Sequence, residues 1–399
     1  MPAETRVTRL SIRKGAVGPL PACDLAVRAF TVFVGEQGSG KSLAAQLLYF
    51  FEELPFLLQF TLDTEEQARR MSDDQLVLHI LDQLRSAERS FGVFFQKNTE
   101  VEWSRGARWG ASDLDRSGLL GFRMPSRRRL ALAPGSRQVI AELRRHLAHT
   151  NAHLWHHAIF FPTERIVAPL LRTIGATRAV SLPLTYVQFD HWLFVHGVGE
   201  EGKTFDRFER ELLRILGGEA FRRGDRWKWR FRKGQMDLDL ASSGQRANWS
   251  LPYLTRALRA EAGIHPVDHS VVLVVEEPEI HLHPEAQVAV VRLLARMVNL
   301  GFRVVVTTHS LDVLYAVNNL VQASRVGDDE LKGIPPPEVR LKPDSVSVYR
   351  FQAGHKPKAV VERETGFISE RELGRVSEGL SAEYNRIAAR IAHLGRDRG

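Results

Sequence analysis

The chain has 399 residues, 44% hydrophobic and 26% charged, with 30 Gly and 18 Pro spread along it, which excludes a disordered or collagen-like polymer and leaves room for one large or two ordinary domains. A single cysteine, Cys23, excludes an internal disulfide framework and any multi-cysteine zinc or iron–sulfur site. The charge is 55 Lys and Arg against 47 Asp and Glu, or +8, and residues 101 to 250 carry the surplus with 25 against 15, an excess that suits a surface facing phosphates or follows from an Arg-rich genomic composition.

Phe30 to Val34 is an apolar run, followed by GEQGSGKS at 35 to 42 and a second apolar stretch from Leu43, which reads as strand, loop and helix. Gly35, Gly38 and Gly40, with Gln37 and Ser39 between them, let the backbone adopt positive φ and turn its N–H groups around a polyphosphate. Lys41 adds a cation for the β and γ phosphates, the Ser42 hydroxyl can ligate Mg²⁺, and the helix starting near Lys41 aims its positive end at the same place. This is the Walker A pattern in its proper context. The stretch from Leu43 to Phe60 is broken by Glu52, Glu53 and Pro55, and the N-terminus lacks a basic-then-apolar leader, so a cytoplasmic chain with no membrane span is expected.

Residues 62 to 155 separate this loop from the next core strand by far more than a usual connection, and an inserted lobe is expected there. Residues 65 to 87 have a helical pattern, 99 to 109 and 121 to 132 look like short strands, and 138 to 149 look like a helix. His146, His149, His153, His156 and His157 have spacings that could gather on a helical face as a metal site, but no carboxylate or cysteine joins them, which favours packing or capping. FFPTER at 160 to 165 is a strand with a polar exit. Glu164 and Arg165 there would sense nucleotide or metal, or simply end the strand.

RWKWRFRK at 226 to 233 alternates with period two, which puts Trp227, Trp229 and Phe231 on one strand face and Arg226, Lys228, Arg230 and Arg232 on the other. Either the cations meet nucleic-acid phosphates or the aromatics pack on the core while the cations face solvent. SSGQ, the residues Ser242, Ser243, Gly244 and Gln245, precedes an apolar-periodic stretch from Trp249 to Leu258 and reads as a helix N-terminus suited to an anion. VVLVV at 271 to 275 has the signature of a strand buried on both faces, and it delivers EEPE to the sheet edge where ligands bind. Glu276 is assigned to Mg²⁺ and Glu277 to the attacking water, since adjacent strand residues point to opposite sides. VVVTTHS at 304 to 310 ends a second such strand in His309, which could bond a phosphate or the water, or cap the next helix.

Taken in order, Walker A, SSGQ, EEPEIHLHP at 276 to 284 and TTHS at 307 to 310 resemble the ABC-type ATPases, and EEPEIHLHP with FFPTER upstream looks like their SMC-like and OLD-like bacterial branch, labelled AAA. The resemblance implies an α/β P-loop fold with a mixed central sheet and flanking helices, and ATP and Mg²⁺ as ligands. It also implies a head-to-tail homodimer in which SSGQ of one copy closes over the cradle of the other, with Glu277 as base and His309 as switch. Ala241 stands where the signature usually has Leu, and His283 where transporters keep an Asp, so slow hydrolysis is expected. Head segments are expected at 1–61 and 156–350, the latter with a helical and hairpin subdomain at 166–235, and a helical tail at 351–399 with a helix-like stretch over 370–394. The tail lacks the acidic constellation of OLD-like nucleases, so a nuclease would be a separate effector polypeptide, in a setting such as anti-phage defence. Direct DNA binding in repair and a non-hydrolysing ATP-bound scaffold are the alternatives.

Overall fold

The structure, a computed structural model, describes residues 7–84, 91–104, 119–126, 129–149, 158–173, 183–195, 204–224, 226–264, 271–326, 332–362, 365–369 and 374. In chain order its strands are β1 (Thr8–Val17), β2 (Leu20–Val27), β3 (Phe30–Gly35), β4 (Glu100–Ser104), β5 (Leu119–Ser126), β6 (Arg129–Leu132), β7 (Ala158–Phe161), β8 (Glu219–Arg223), β9 (Arg226–Phe231), β10 (Gly234–Asp237), β11 (Val272–Glu276), β12 (Arg303–Thr308), β13 (Val346–Phe351) and β14 (Lys358–Ala359).

The apolar runs of β3, β11 and β12 are buried on both faces because they form the middle of a six-stranded sheet, ordered β14-β13-β3-β12-β11-β7. Its pairs are parallel except the antiparallel edge strand β14, so the sheet is mixed. Alternate residues serve opposite cores. Val272, Val274 and Val305 face helix α1 (Lys41–Thr64), whereas Leu273, Val275, Val304 and Val306 face the other side, where α9 (Pro284–Asn299) and α10 (Leu311–Ala323) pack.

Helix α1 is buried almost all round because it lies between two sheets. Tyr49 meets Phe160 of the central sheet at 5.2 Å, and Phe51 stacks on Trp103 of a five-stranded antiparallel sheet at 5.9 Å between ring centroids. That second sheet has the order β2-β1-β4-β5-β6. The segment expected as an inserted lobe at 62–155 thus shares a sheet and a core with residues 8–27, a hairpin that the motif reading passed over.

Within the insertion the single helix expected over 65–87 is broken. A 3-10 turn at Glu66–Arg70 comes first, then Ser72 opens α2 (Asp73–Gln83) with a capping box to Gln75. The stretch 121–132 forms the hairpin β5–β6, and the helix expected from 138 begins earlier, as α3 (Pro134–His149). The tail contributes β13 and the short β14. The helix expected over 370–394, His153, His156, His157 and the side chains of His146 and His149 lie outside what is described.

Buried charge pins α1 to the sheet. Arg303, at the start of β12, bonds Glu52 of α1 at 2.9 Å and the Thr8 hydroxyl of β1 at 2.8 Å, with the Glu52 and Arg303 side chains 0% and 6% exposed. Glu52→Ala leaves the guanidinium facing an apolar gap and should cost about 3 kcal/mol or more in denaturant unfolding, whereas Glu52→Leu with Arg303→Met should recover most of that loss. Equal losses in the single and double variants would contradict this.

Candidate functional site

Three neighbouring parallel strands end together. β3 and β12 run in register from Phe30 and Val304 to Val34 and Thr308, and β12 and β11 from Arg303 and Val272 to Thr307 and Glu276. Their carboxyl ends therefore deliver the glycine loop, the acidic turn and His309 to one edge. The loop turns from β3 into α1, with Gly40 as the helix N-cap at φ 98°. Gly35 has φ 145°, and a Cβ there would lie 2.0 Å from the Phe351 carbonyl oxygen, so no other residue fits. At the exposed tip, Gly38 has φ 72°, and a Cβ there would meet nothing within 4 Å.

Gln37 is exposed beside it, while Ser39 is buried, with its hydroxyl donating to the Glu36 carbonyl at 2.6 Å. Lys41 is 5% exposed, and its ammonium donates to the carbonyls of Gly35 at 3.0 Å and Glu36 at 2.7 Å. Burial lowers its pKa, and the charges of Glu277, Glu279 and Glu36 oppose that shift.

Glu276 and Glu277 do differ. Glu276 is 3% exposed; its carboxyl bonds the Ser42 hydroxyl and, through Oε2, the Thr163 N–H and hydroxyl at 3.4 and 3.3 Å, while its buried Oε1 has no hydrogen-bond partner. Burial, and then the charge of Glu164, push its pKa up to about 7. Glu277 leaves the strand at φ 43°, a left-handed conformation rare outside glycine, with its N–H held by the Thr307 carbonyl at 2.9 Å. Its Oε1 lies 3.6 Å from Nε2 of His309.

Two further residues build the site and were given no settled role from the sequence. Glu279 accepts the Thr308 hydroxyl at 2.6 Å and the His309 N–H at 2.7 Å, tying the acidic turn to the end of β12. Its spacing within EEPE was the available signal. Arg165, expected as a sensor or a plain strand exit, is 1% exposed and spends its guanidinium on main-chain carbonyls, which leaves the second reading. Glu164 beside it is exposed and acts on Glu276 by charge.

Ser242 caps a helix as expected, but the helix starts sooner, as α7 (Ser243–Asn248), and breaks before α8 (Ser250–Ile264), which carries Pro252 in its first turn. The Ser242 hydroxyl accepts the Gln245 N–H at 3.3 Å, and the Gln245 amide returns to the Ser242 N–H at 3.0 Å and donates to the Leu216 carbonyl at 2.8 Å. Ser242 is exposed and Ser243 half-buried. Gly244 is buried against the chain's own acidic turn, where a Cβ would lie 2.6 Å from the His281 carbonyl oxygen.

A model of the family described as "AAA domain, putative AbiEii toxin, Type IV TA system" matches residues 30–314. The chain belongs to this family. It is an AAA-family domain with a glycine phosphate loop, a mixed central sheet and flanking helices. A comparison with curated proteins finds no match. Solved structures aligned with the AAA-family chain include an SMC head domain from Thermotoga maritima, 14% identical over 89% of this chain and 98% of that one with a TM-score of 0.39. An SMC head bound to the C-winged helix domain of ScpA is 14% identical over 90% and 98%, with a TM-score of 0.41. The cbiO1 protein of Clostridium perfringens, part of the ABC transporter complex cbiONQ, is 13% identical over 96% and 97%, with a TM-score of 0.31. Likenesses this loose carry no argument of their own. No helix among the described residues of the AAA-family chain is long and apolar enough to cross a membrane.

The basic strand β9 is the middle strand of a separate three-stranded sheet, β10-β9-β8. Trp229 is buried and Trp227 packs on Trp249 at 4.7 Å, while Phe231 is exposed. Lys228 pairs with Asp237, and Arg230 pairs with Glu219 at 3.1 Å and lies over Phe221, leaving Arg226 and Arg232 exposed at the strand ends.

The raised pKa of Glu276 sets a pH dependence. Between about 4.5 and about 7 the folded chain keeps a proton that the unfolded chain has lost, so metal-free stability falls as pH rises through that window. In EDTA, Glu276→Gln should remove up to about 3 kcal/mol of this decline, read as the difference between the variant and wild-type unfolding curves. Parallel curves would contradict the burial argument.

Proposed function

We propose that this chain binds and hydrolyses ATP with Mg²⁺, and that ATP joins two copies head to tail, the SSGQ helix of each closing over the glycine loop of the other. The observation that carries the reading is the meeting of Lys41, Ser42, Glu276, Glu277 and His309 at the ends of adjacent parallel strands. The residues fit the ligands. The loop tip is open at Gly38, a buried ammonium already lies on the loop, and Glu276 offers an unpartnered buried oxygen.

Gly35, Gln37, Gly38, Ser39 and Gly40 would hold the phosphates with Lys41, and Ser42 and Glu276 would hold Mg²⁺, with Glu164 as an outer carboxylate. When bound, Mg²⁺ neutralises phosphate charge. Glu277 takes the proton of the attacking water, and His309, within 3.6 Å, orients that carboxylate and reads the phosphate end. Ser242 and Ser243 present the N-terminus of α7 to the partner's phosphates, while Gly244 and Gln245 hold that terminus in shape.

The setting proposed is control of a separate effector, such as a nuclease in bacterial anti-phage defence. The family description, which names a toxin of a TA system, supports it. Light scattering tests the switch. Glu277→Gln should bind ATP, lose turnover by roughly a hundredfold or more and gain mass on adding Mg·ATP. Lys41→Ala should lose both binding and mass gain. Binding with neither turnover in the wild type nor a mass change in Glu277→Gln would leave a static scaffold and refute the proposal.

A further inference from the structure

We infer that Arg165 is a positioning residue that locks the acidic turn at 276–281 to the helix following SSGQ, so that a change at the phosphate site is transmitted to the surface offered to a second copy. The inference rests on the proposed function and deepens it.

The guanidinium bridges three segments. Nε donates to the Ala247 carbonyl of α7 at 2.7 Å, Nη1 to the carbonyls of Pro162 and Glu276 at 2.7 and 2.6 Å, and Nη2 to the Glu277 carbonyl at 2.8 Å. It also lies over the Phe161 ring, 4.7 Å from the centroid. Among the described residues no carboxylate forms an ion pair with it. A buried charge without such a partner is costly, and carbonyl dipoles offset the cost. They come from the carboxyl end of β11 and from the last turn of α7, where helix dipoles favour cations. Burial lowers the Arg165 pKa to about 10, so it stays charged at neutral pH.

Two more contacts make turn and helix one body. The buried Asn248 amide donates to the carbonyls of Gly244 at 3.3 Å and Ile280 at 3.2 Å, and Gly244 abuts the His281 carbonyl. Glu277 and His281 sit at φ 43° and 57°, conformations that persist only where neighbours impose them. A displacement of Glu277 must therefore move Arg165, and with it α7. Lysine keeps the charge, but its single ammonium cannot span all three segments.

Arg165→Lys is compared with the parent chain for fluorescent-ATP affinity, turnover and, in a Glu277→Gln background, ATP-dependent mass. The expected result is an unchanged ATP Kd at protein concentrations below dimerisation, with kcat and dimer affinity each reduced about tenfold. A variant that binds and dimerises like the parent overturns the inference, as does one whose ATP affinity falls in step with dimerisation. Should Arg165→Lys not fold, hydrogen exchange on the wild type decides. Mg·ATP, at protein concentrations below dimerisation, should slow exchange of the amides at 243–249, and unchanged exchange overturns the inference. A wild type that never binds ATP instead removes the proposed function itself.

Discussion

Four carboxylates and two largely desolvated cations are held at the carboxyl ends of adjacent parallel strands, and the rest of the site depends on that concentration of charge. Glu164, Glu276, Glu277 and Glu279 all act on Arg165, and Glu277 and Glu279 act on Lys41. In water these interactions would be weak. Around buried groups they outweigh most surface pairs, and each group left without its partner would be expensive. The fold meets this demand by ending three buried strands in step, so that main-chain carbonyls and N–H groups converge where the charges do.

That convergence also explains the strained turn. Glu277 in a left-handed conformation is unfavourable alone, yet the Thr307 carbonyl, the Arg165 guanidinium and the close approach of Gly244 to His281 each fix a different part of it. Strain kept in place by several independent contacts is a store of preorganisation. Beneath it, the helix that follows the glycine loop is fixed by aromatic packing on both sides and by the Glu52–Arg303 pair, which makes the phosphate cradle a rigid part of the core.

The chemistry-bearing ends of strands were legible in the sequence because local pattern and local role coincide there. GEQGSGKS and the runs VVLVV and VVVTTHS each state both a strand and its exit. Less legible was everything set by pairing between distant segments. The N-terminal hairpin pairs with β4, far along the chain, which turns the expected lobe into part of a shared sheet, and neither partner announces this alone. Arg165 could be read either as a sensor or as the plain end of a strand, because an arginine after a strand looks available, and only the packing of α7 over the acidic turn buries it. The helix expected to follow SSGQ is two, because α7 ends at Asn248 and α8 begins at Ser250, with Pro252 in the first turn where a proline is tolerated.

The most direct test of the central claim is calorimetric titration of the purified chain with ATP, with and without Mg²⁺. The account predicts saturable binding of one nucleotide per chain, with Kd roughly between 1 µM and 1 mM and tightened by the metal. Absence of any saturable heat or fluorescence signal for ATP, in a chain shown to be folded, would contradict it.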